Sequence, residues 1–243
     1  MKKPFLLLVA RPPSLIKTDE FQAICRYGEL DASELKVLDL TRPLERMPDF
    51  SAYSGVFITG SPYNYLTPDE DKGEIQHQVE ANILPLCEEL LAHDVPTLGL
   101  CYGLQVLAVA AGGSLTNEFA EQMQPTEITL NRDGLTDPLT SKLPPTFLGY
   151  VAHADAVSVA DAPSSMTILG SSKACPVHLA RFKTNIYGTQ HHPEIDRDGI
   201  AIRVAHYVGV YFTEEEHPEV LRAVQSVHVE SSLITHFVRK YGV

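Results

Sequence analysis

The sequence predicts an α/β fold: an open, mostly parallel β-sheet flanked by helices. Four short apolar runs alternate with helical patterns over the first hundred residues, at 5–9, 36–40, 55–59 and 97–100. Strands that alternate with helices usually pair in parallel, because each helix returns the chain to the same end of the sheet. A chain of 243 residues, 44% of them hydrophobic, can bury the core that such a sheet needs.

Two helices are expected between these strands. Between residues 68 and 93, apolar side chains recur at spacings of three and four, which places them on one helical face that should pack on the sheet. They are Ile75, Val79, Ile83, Leu86 and Leu90. The second helix, 102–111, begins directly after a strand and ends at Gly112-Gly113, a suitable C-terminal stop.

The second half of the chain has a different pattern. Shorter strands separated by Pro-rich and Asp-rich turns predict a small, partly antiparallel sheet, with strands at 127–130, 167–169 and 186–190. Helical patterns then follow at 199–211, 214–227 and 231–241. We therefore expect residues 1–243 to form a single domain, in which about 200–243 are a helical C-terminal extension.

Charge and cysteine content exclude several classes of function. The formal charge is −12, and no basic cluster follows Lys2-Lys3, so a nucleic-acid partner is not expected. The apolar run at 5–10 is too short for a membrane span or a signal-peptide core. The four cysteines show no C-x-x-C spacing, which argues against a zinc knuckle or a disulfide framework and favours a reducing cytoplasm.

A candidate nucleophile lies where strand, tight turn and helix meet. Cys101 is flanked by Gly99 and Gly103 in a G-x-C-x-G pattern, a cysteine version of the elbow that presents serine in α/β-hydrolases. The N-terminus of the following helix would lower the thiol pKa and offer amide N–H groups to an oxyanion, as acyl transfer requires. The alternative is a buried, inert cysteine, which is common in proteins.

A base and its orienting partner follow a later strand. If 186–190 is a strand that ends near the elbow, His192 can face the thiol and Glu194 can hold the imidazole. The alternative is that this His-His-Pro turn is merely polar. A metal site at His191 and His192 is weaker still, because adjacent side chains of an extended segment point apart, and no metal is assigned.

Together these motifs resemble those of class I glutamine amidotransferases, most closely the glutaminase domain of GMP synthase and its free-standing relatives. Residues 99–105 resemble the family pattern G-x-C-x-G-x-Q, and 188–194 resemble G-x-Q-F-H-P-E. Residues 59–62 occupy the place of a G-G-P turn, and 152–155 resemble S-H-G-D. The resemblance covers roughly residues 1–200 and implies a flavodoxin-like, three-layer fold.

The resemblance also implies roles for individual residues, with no cofactor. It makes Cys101, His192 and Glu194 a catalytic triad. It assigns the oxyanion hole to the Gly60-Ser61 turn and the Tyr102 amide, and substrate binding to Gln105, Ala152, His153 and Asp155. Each secondary match has a plainer explanation: an ordinary Gly-Ser-Pro turn, a polar helix residue at Gln105, and a loop or cap residue at Asp155.

Four positions depart from the family pattern and bear on the substrate. Ser61 replaces a glycine, Ala152 a serine and Ala154 a glycine, and His191 stands where an aromatic residue is usual. Strict specificity for glutamine is therefore not implied.

The expected activity is hydrolysis of the glutamine side-chain amide through a γ-glutamyl thioester. The sequence has no recognisable ATP-pyrophosphatase or Walker motif, so the ammonia acceptor is unidentified. One option is a separate synthetase or other ammonia-accepting subunit. One alternative is a stand-alone γ-glutamyl peptidase or hydrolase, as in plant enzymes of similar fold. Another is a catalytically silent binding or regulatory subunit, although all three triad residue types are present.

Overall fold

A computed structural model describes residues 2–209 and 212–242. Eleven strands are found in these residues. They are β1 (Phe5–Val9), β2 (Leu35–Asp39), β3 (Val56–Ile58), β4 (Thr97–Leu100), β5 (Leu115–Thr116), β6 (Glu121–Leu130), β7 (Thr146–His153), β8 (Ala156–Val157), β9 (Met166–Ser171), β10 (Leu179–Phe182) and β11 (Ile186–Thr189).

Nine of these strands form one mixed sheet in the order β2-β1-β3-β4-β11-β10-β9-β6-β7. Strands β2, β1, β3, β4 and β11 run parallel to one another. Strands β10, β9, β6 and β7 continue the sheet with antiparallel pairing, and β5 pairs with β8 in a separate small antiparallel sheet. The predicted α/β class is confirmed, and most of the antiparallel strands extend the main sheet instead of standing apart from it.

Seven α-helices, with short 3-10 turns, connect the strands of the described chain. They are α1 (Leu15–Gly28), α2 (Glu74–Ala92), α3 (Tyr102–Ala110), α4 (Arg132–Thr136), α5 (Arg197–His206), α6 (His217–Gln225) and α7 (Ser232–Tyr241). The predicted helix 199–211 is too long, because α5 ends at His206 and Tyr207 is its C-cap; its predicted end, Tyr211, lies outside the described residues.

The predicted helix 68–93 begins later than expected. A 3-10 turn at Asp69–Asp71 precedes it, and Gly73 is the residue at its N-cap. Val79, Ile83, Leu86 and Leu90 are fully buried, as predicted, but the prediction that Ile75 shares this buried face is wrong, because Ile75 is 44% exposed. Ile75 lies in the first turn, at the end of the helix, where the apolar stripe meets solvent.

Helices cover both faces of the parallel half of the sheet. Buried residues of α2 and α3 pack with one set of strand side chains, and α1 and α7 pack with the other set. On the second face the rings of Phe57 and Phe237 lie edge to face, with centroids 5.2 Å apart. Burying an aromatic side chain of this size contributes about 2–3 kcal/mol. Such packing fixes the strand ends from which the site is built.

The carboxyl ends of the parallel strands meet at one edge of the sheet. Arg11 follows β1, Gly60 follows β3, Cys101 follows β4, and Gln190 to His192 follow β11. This is the edge at which open α/β sheets bind ligands. Among the residues that the structure describes, no helix combines the length and the apolar character needed to cross a bilayer.

Candidate functional site

Cys101 occupies the predicted elbow between β4 and α3. Its backbone has φ 50° and ψ −99°, a conformation that L-residues seldom adopt and that stores strain. The Cys101 N–H donates to the carbonyl of Thr189 at 2.6 Å, which ties the elbow to the end of β11.

Both glycines of the elbow are required by close approach of the backbone. A Cβ at Gly99 would lie 2.6 Å from the carbonyl carbon of Gly103, and a Cβ at Gly103 would lie 2.8 Å from the carbonyl oxygen of Ile58. The G-x-C-x-G spacing therefore matches a real steric constraint, as the sequence predicts.

His192 and Glu194 lie beside this elbow. The His192 N–H donates to the carbonyl of Tyr150 at 2.9 Å, and His192 Nδ1 lies 2.7 Å from Glu194 Oε1. The Cys101 side chain interacts with the same imidazole ring, and both side chains line one cleft. Burial disfavours an imidazolium, but the Glu194 carboxylate and Cys101 outweigh it and raise the pKa of His192 to about 10.

The second oxygen of the Glu194 carboxylate has no hydrogen-bond partner. Burial raises the pKa of Glu194, but His192 and then Arg203 lower it by more, so the pKa lies below its ordinary value. Glu194 is 1% exposed, so its contact with the imidazole is shielded from bulk water.

Of the three residues predicted for an oxyanion hole, Gly60 and Tyr102 adjoin Cys101, and Ser61 lines the same cleft. A Cβ at Gly60 would lie 3.1 Å from His192 Cε1 and 3.9 Å from Cys101 Cβ. Tyr102 is the first residue of α3, where backbone N–H groups have no partner within the helix. Ser61 Oγ donates to the carbonyl of Ala10 at 2.9 Å and accepts from Tyr63 N–H at 3.1 Å. The serine that replaces a glycine at position 61 thus hydrogen-bonds to the backbone with its hydroxyl group.

The four residues predicted to bind substrate also line the cleft that contains Cys101. Gln105 Nε2 donates to the carbonyl of Asp155 at 2.6 Å, and His153 Nδ1 lies 3.0 Å from the same carbonyl. Asp155 Oδ2 accepts from Leu66 N–H at 3.0 Å, and burial raises the pKa of this carboxyl group. These hydrogen bonds connect Gln105 to the 152–155 segment, to which Ala152 belongs.

Sequence analysis did not single out Gln190, which is part of the same constellation. Its Nε2 donates to Cys101 Sγ at 3.4 Å, and its Oε1 accepts from Gln105 Nε2 at 3.4 Å. The glutamine of the G-x-Q-F-H-P-E pattern was the available signal, because Gln190 occupies that place in the sequence.

Another missed residue is Glu121, which contacts His153 of the 152–155 segment. Its Oε2 is 3.1 Å from His153 Nε2 and 2.8 Å from His178 Nε2. Burial raises the pKa of Glu121, but these two histidines lower it to about 2 overall. The local sequence does not predict a role for Glu121. It is the first residue of β6, a long strand in which buried and exposed side chains do not alternate regularly.

Glu121, His178 and Cys175 place three potential metal ligands within 4.8 Å of one another, and all three are buried. These are ligand types that zinc accepts. Glu121 Oε2 is, however, already engaged by two histidines, and burial raises the pKa of Cys175 to about 12, so its thiol is protonated at neutral pH. His191 and His192 are not members of this group.

His191 fills the position where the family pattern has an aromatic residue. It is 1% exposed, and its ring meets that of Phe147 edge to face at 5.5 Å. Burial lowers the pKa of His191 to about 3, so the ring is neutral and packs as an aromatic residue would.

The lining of the cleft also includes basic, apolar and tyrosine side chains. They are Arg11, Ile16, Ile200, Arg203 and Tyr207. Arg11 Nε lies 2.9 Å from Glu20 Oε2, and Arg203 Nη1 donates to Asp19 Oδ2 at 2.6 Å. Sequence analysis missed this group; its sole signal was a charged residue, Arg11, directly after the apolar run of β1.

Comparisons with known proteins agree with these motifs. The family model described as "Glutamine amidotransferase class-I" matches residues 20–198. A curated relative, a subunit of the glutamine-hydrolysing GMP synthase of Methanocaldococcus jannaschii, is 28% identical over 161 residues, which are 66% of this chain and 74% of the relative. The GMP synthase of Streptomyces coelicolor is 34% identical over 119 residues, 48% of this chain but only 22% of that longer protein.

Solved structures show the same fold. A glutamine amidotransferase from Methylobacillus flagellatus superposes with a TM-score of 0.71 at 17% identity, covering 99% of this chain and 94% of that one. A glutamine amidotransferase from Thermotoga maritima gives a TM-score of 0.68 at 19% identity, covering 97% and 98% of the two chains. Since the family model matches well over half of the sequence, this protein belongs to the class I glutamine amidotransferase family.

Proposed function

We propose that the protein hydrolyses the side-chain amide of glutamine, with Cys101 as nucleophile, His192 as acid and base, and Glu194 as the partner that orients the imidazole. The observation that carries this proposal is the continuous contact from Cys101 to His192 to Glu194 at the wall of one cleft. Nucleophile, base and orienting carboxylate in mutual contact form the arrangement that acyl transfer uses.

The first chemical step forms a thioester. Cys101 passes its proton to His192, and the sulfur attacks the γ-carboxamide carbon. In this proposal the Tyr102 N–H, at the start of α3, and the Gly60 backbone, beside His192 and Cys101, donate to the resulting oxyanion. His192 then gives its proton to the amide nitrogen, the C–N bond breaks, and ammonia leaves.

The second step consumes water. His192, now neutral, takes a proton from water as the water attacks the γ-glutamyl thioester, and the C–S bond breaks to give glutamate and the Cys101 thiol. Glu194 stays ionised throughout and stabilises the imidazolium that forms in each half of the reaction, because its Oε1 is hydrogen-bonded to His192 Nδ1.

The glutamyl part of the substrate would lie against Gln105, Ala152, His153 and Asp155. Hydrogen bonds through the Asp155 carbonyl hold Gln105 and His153 together. Because these side chains are already held by hydrogen bonds, they do not have to be ordered when the substrate binds. This lowers the entropic cost of binding.

The names of the relatives suggest where ammonia goes. The Methanocaldococcus relative is named as a subunit of a glutamine-hydrolysing GMP synthase, which implies a second, synthetase subunit. We propose by analogy that this chain supplies ammonia to a separate synthetase. The stand-alone γ-glutamyl hydrolase remains a second candidate, favoured by the basic and apolar side chains in the cleft lining.

The test is release of ammonia and glutamate from glutamine by the purified wild type and by Cys101→Ala. Cys175→Ser is the matched control, since Cys175 is also buried but lies away from the cleft lining. We expect turnover in the wild type and in the control and none in Cys101→Ala. Rapid quenching followed by mass spectrometry should detect the γ-glutamyl adduct on Cys101.

A partner-dependent enzyme would turn over slowly when isolated, so a second measurement is needed. The electrophilic glutamine analogue diazo-oxonorleucine should label Cys101 in preference to the other three cysteines. A wild type that neither turns over glutamine nor is labelled at Cys101 would favour the catalytically silent binding subunit.

A further inference from the structure

The chain passes from the triad almost directly into α5. This helix begins three positions after Glu194, and Asp196 caps it by accepting hydrogen bonds from the N–H groups of Asp198 and Gly199. Since so short a connection leaves the Glu194 backbone little freedom, contacts that hold α5 in place also hold Glu194. The family model ends at residue 198, so most of α5 lies beyond the part of the chain that this model matches.

Two ion pairs join α5 to α1, and they differ in exposure. Arg26 Nη2 lies 2.6 Å from Asp196 Oδ2, and Arg203 Nη1 donates to Asp19 Oδ2, also at 2.6 Å. On each helix the two paired residues lie about two turns apart, so the pairs tie antiparallel helices together at two points. The Arg26 side chain is 51% exposed and that of Arg203 only 6%. Water therefore screens the first pair much more than the second.

The buried pair belongs to a network of charges beside the imidazole. Arg203 lines the same cleft as His192. Its Nη2 lies 3.8 Å from Glu20 Oε1, and the other carboxylate oxygen of Glu20 lies 2.9 Å from Arg11 Nε. Asp19 and Glu20 thus balance the two arginines. The network carries no spare charge for a ligand, but it is close enough to act on the triad.

The Glu194 carboxylate depends on nearby positive charge. One oxygen contacts His192 Nδ1, and within the described chain the other oxygen has no hydrogen-bond partner. A buried carboxylate with so few hydrogen bonds stays ionised only where cations lie near it. After His192, Arg203 is the residue that lowers the pKa of Glu194 most. The other charged and titratable groups around this network are Cys101 after β4, Arg11 after β1, Asp19 and Glu20 on α1, and Tyr207 after α5.

We propose that Arg203 is a positioning residue for the triad. Through Asp19 it fixes α5 and hence the backbone at Glu194, and its charge keeps the Glu194 carboxylate ionised. It acts on the reaction through Glu194 alone. This inference rests on the proposed function, because it requires that the Cys101, His192 and Glu194 side chains are the catalytic ones.

The experiment measures the rate at which iodoacetamide alkylates Cys101 as a function of pH, a readout that needs no substrate. Arg203→Gln removes the charge but keeps a side chain that can donate to Asp19. Loss of a cation makes proton uptake by the buried triad easier, so we expect the acid midpoint of alkylation to rise by about half a pH unit or more. Arg203→Lys keeps the charge and should keep the wild-type midpoint.

Steady-state kinetics on glutamine provide the second readout. A residue that acts through Glu194 affects the chemical steps more than the binding of substrate. We therefore expect kcat to fall by about tenfold in Arg203→Gln while KM changes by less than about threefold, and Arg203→Lys to recover most of kcat.

Two controls separate the charge of Arg203 from its part in packing. Arg26→Gln breaks the exposed pair between the same two helices, and it should leave the midpoint unchanged, because loosened packing alone changes the rate at every pH. Arg203→Gln also leaves the Asp19 carboxylate without its cation, which could unfold the protein. The comparison is therefore repeated in an Asp19→Asn background, where adding Arg203→Gln should again raise the midpoint and adding Arg203→Lys should not.

The opposite results overturn the inference and identify what failed. A midpoint that Arg203→Gln does not move in either background would show that Arg203 acts only on the fold. A shift that Arg203→Lys or Arg26→Gln shares would show that helix packing, and not the charge, controls the triad. In all of these cases glutamine hydrolysis by the wild type would stand. A wild type that neither turns over glutamine nor is alkylated preferentially at Cys101 would instead overturn the proposed function itself.

Discussion

The protein has two buried histidine–glutamate groups, and their contacts are nearly alike. In one, His192 Nδ1 is 2.7 Å from Glu194. In the other, His178 Nε2 is 2.8 Å and His153 Nε2 is 3.1 Å from Glu121. Distance and burial alone do not distinguish them.

The difference lies in what the rest of each ring contacts. His192 reaches the thiol of Cys101 and lines the cleft, whereas His178 is fully buried and its Nδ1 has no hydrogen-bond partner. His153 Nδ1 contacts a backbone carbonyl, that of Asp155. A histidine–carboxylate pair can serve in covalent catalysis only where a nucleophile and a cleft are present at its free side. The Glu121 group instead contacts the 152–155 segment, which we propose to bind the substrate.

Replacing Glu194 should produce the larger functional effect of the two groups. Glu194→Gln keeps the shape but removes the charge that orients His192, so we expect kcat on glutamine to fall by about 10²- to 10⁴-fold. The pKa of His192 should also fall from about 10 toward its ordinary value. The pH dependence of alkylation at Cys101 measures this second effect, and an unchanged profile would mean that Glu194 does not hold the imidazolium.

Replacing Glu121 should affect binding more than chemistry. Glu121→Gln weakens the hydrogen bonds that fix His153, so we expect KM for glutamine to rise by about three- to tenfold with a smaller change in kcat. Glu127→Gln, at an exposed position of the same strand, is the control and should leave both parameters unchanged. A fall in kcat as large as that of Glu194→Gln would contradict the distinction between the two groups.

The Glu121 group should also influence stability in acid. The pKa of Glu121 is lowered from 4.5 to about 2 in the folded protein, so as pH falls the unfolded chain takes up the proton first. Its stabilisation is present above about pH 4.5 and is lost as pH falls through about 2. Denaturant titrations should show a flatter pH dependence for Glu121→Gln than for the wild type over this window, and Glu127→Gln should follow the wild type.

The smallest effect is expected at Cys175, beside Glu121. Burial raises the pKa of its thiol to about 12, which makes it a poor nucleophile, so Cys175→Ser should change kcat/KM by less than about twofold. Iodoacetamide should modify Cys101 well before Cys175. Stoichiometric zinc in the wild type that disappears in this variant would instead show that Glu121, Cys175 and His178 bind metal.

The same comparison shows what could be predicted from sequence. The parallel strands and the elbow were predictable because each is defined by neighbours in the chain: a short apolar run, or glycines two positions either side of Cys101. The adjacency of Cys101 and His192 was predictable because parallel strands end at one edge of the sheet.

Features that depend on residues distant in sequence were missed. Strand β7 carries buried side chains at consecutive positions, so it lacks the alternation of a half-buried strand, and it was not predicted. Glu121 becomes significant only through its contacts with His153 and His178, which are 32 and 57 positions away. Arg11 likewise gains its place from packing against α1 and α5, which sequence periodicity does not describe.

The backbone at Cys101 carries a cost that selection for stability alone would remove. At φ 50° and ψ −99°, this L-residue is held in a conformation that costs about 1–3 kcal/mol, whereas glycine adopts it without penalty. Cys101→Gly should therefore melt at or above the temperature of Cys101→Ala, which keeps the strain, although both are inactive. A lower melting temperature for the glycine variant would mean that the elbow is unstrained. Thermostabilisation by consensus or directed evolution should accordingly be screened for activity at every round, because relief of this strain would come from replacing the proposed nucleophile.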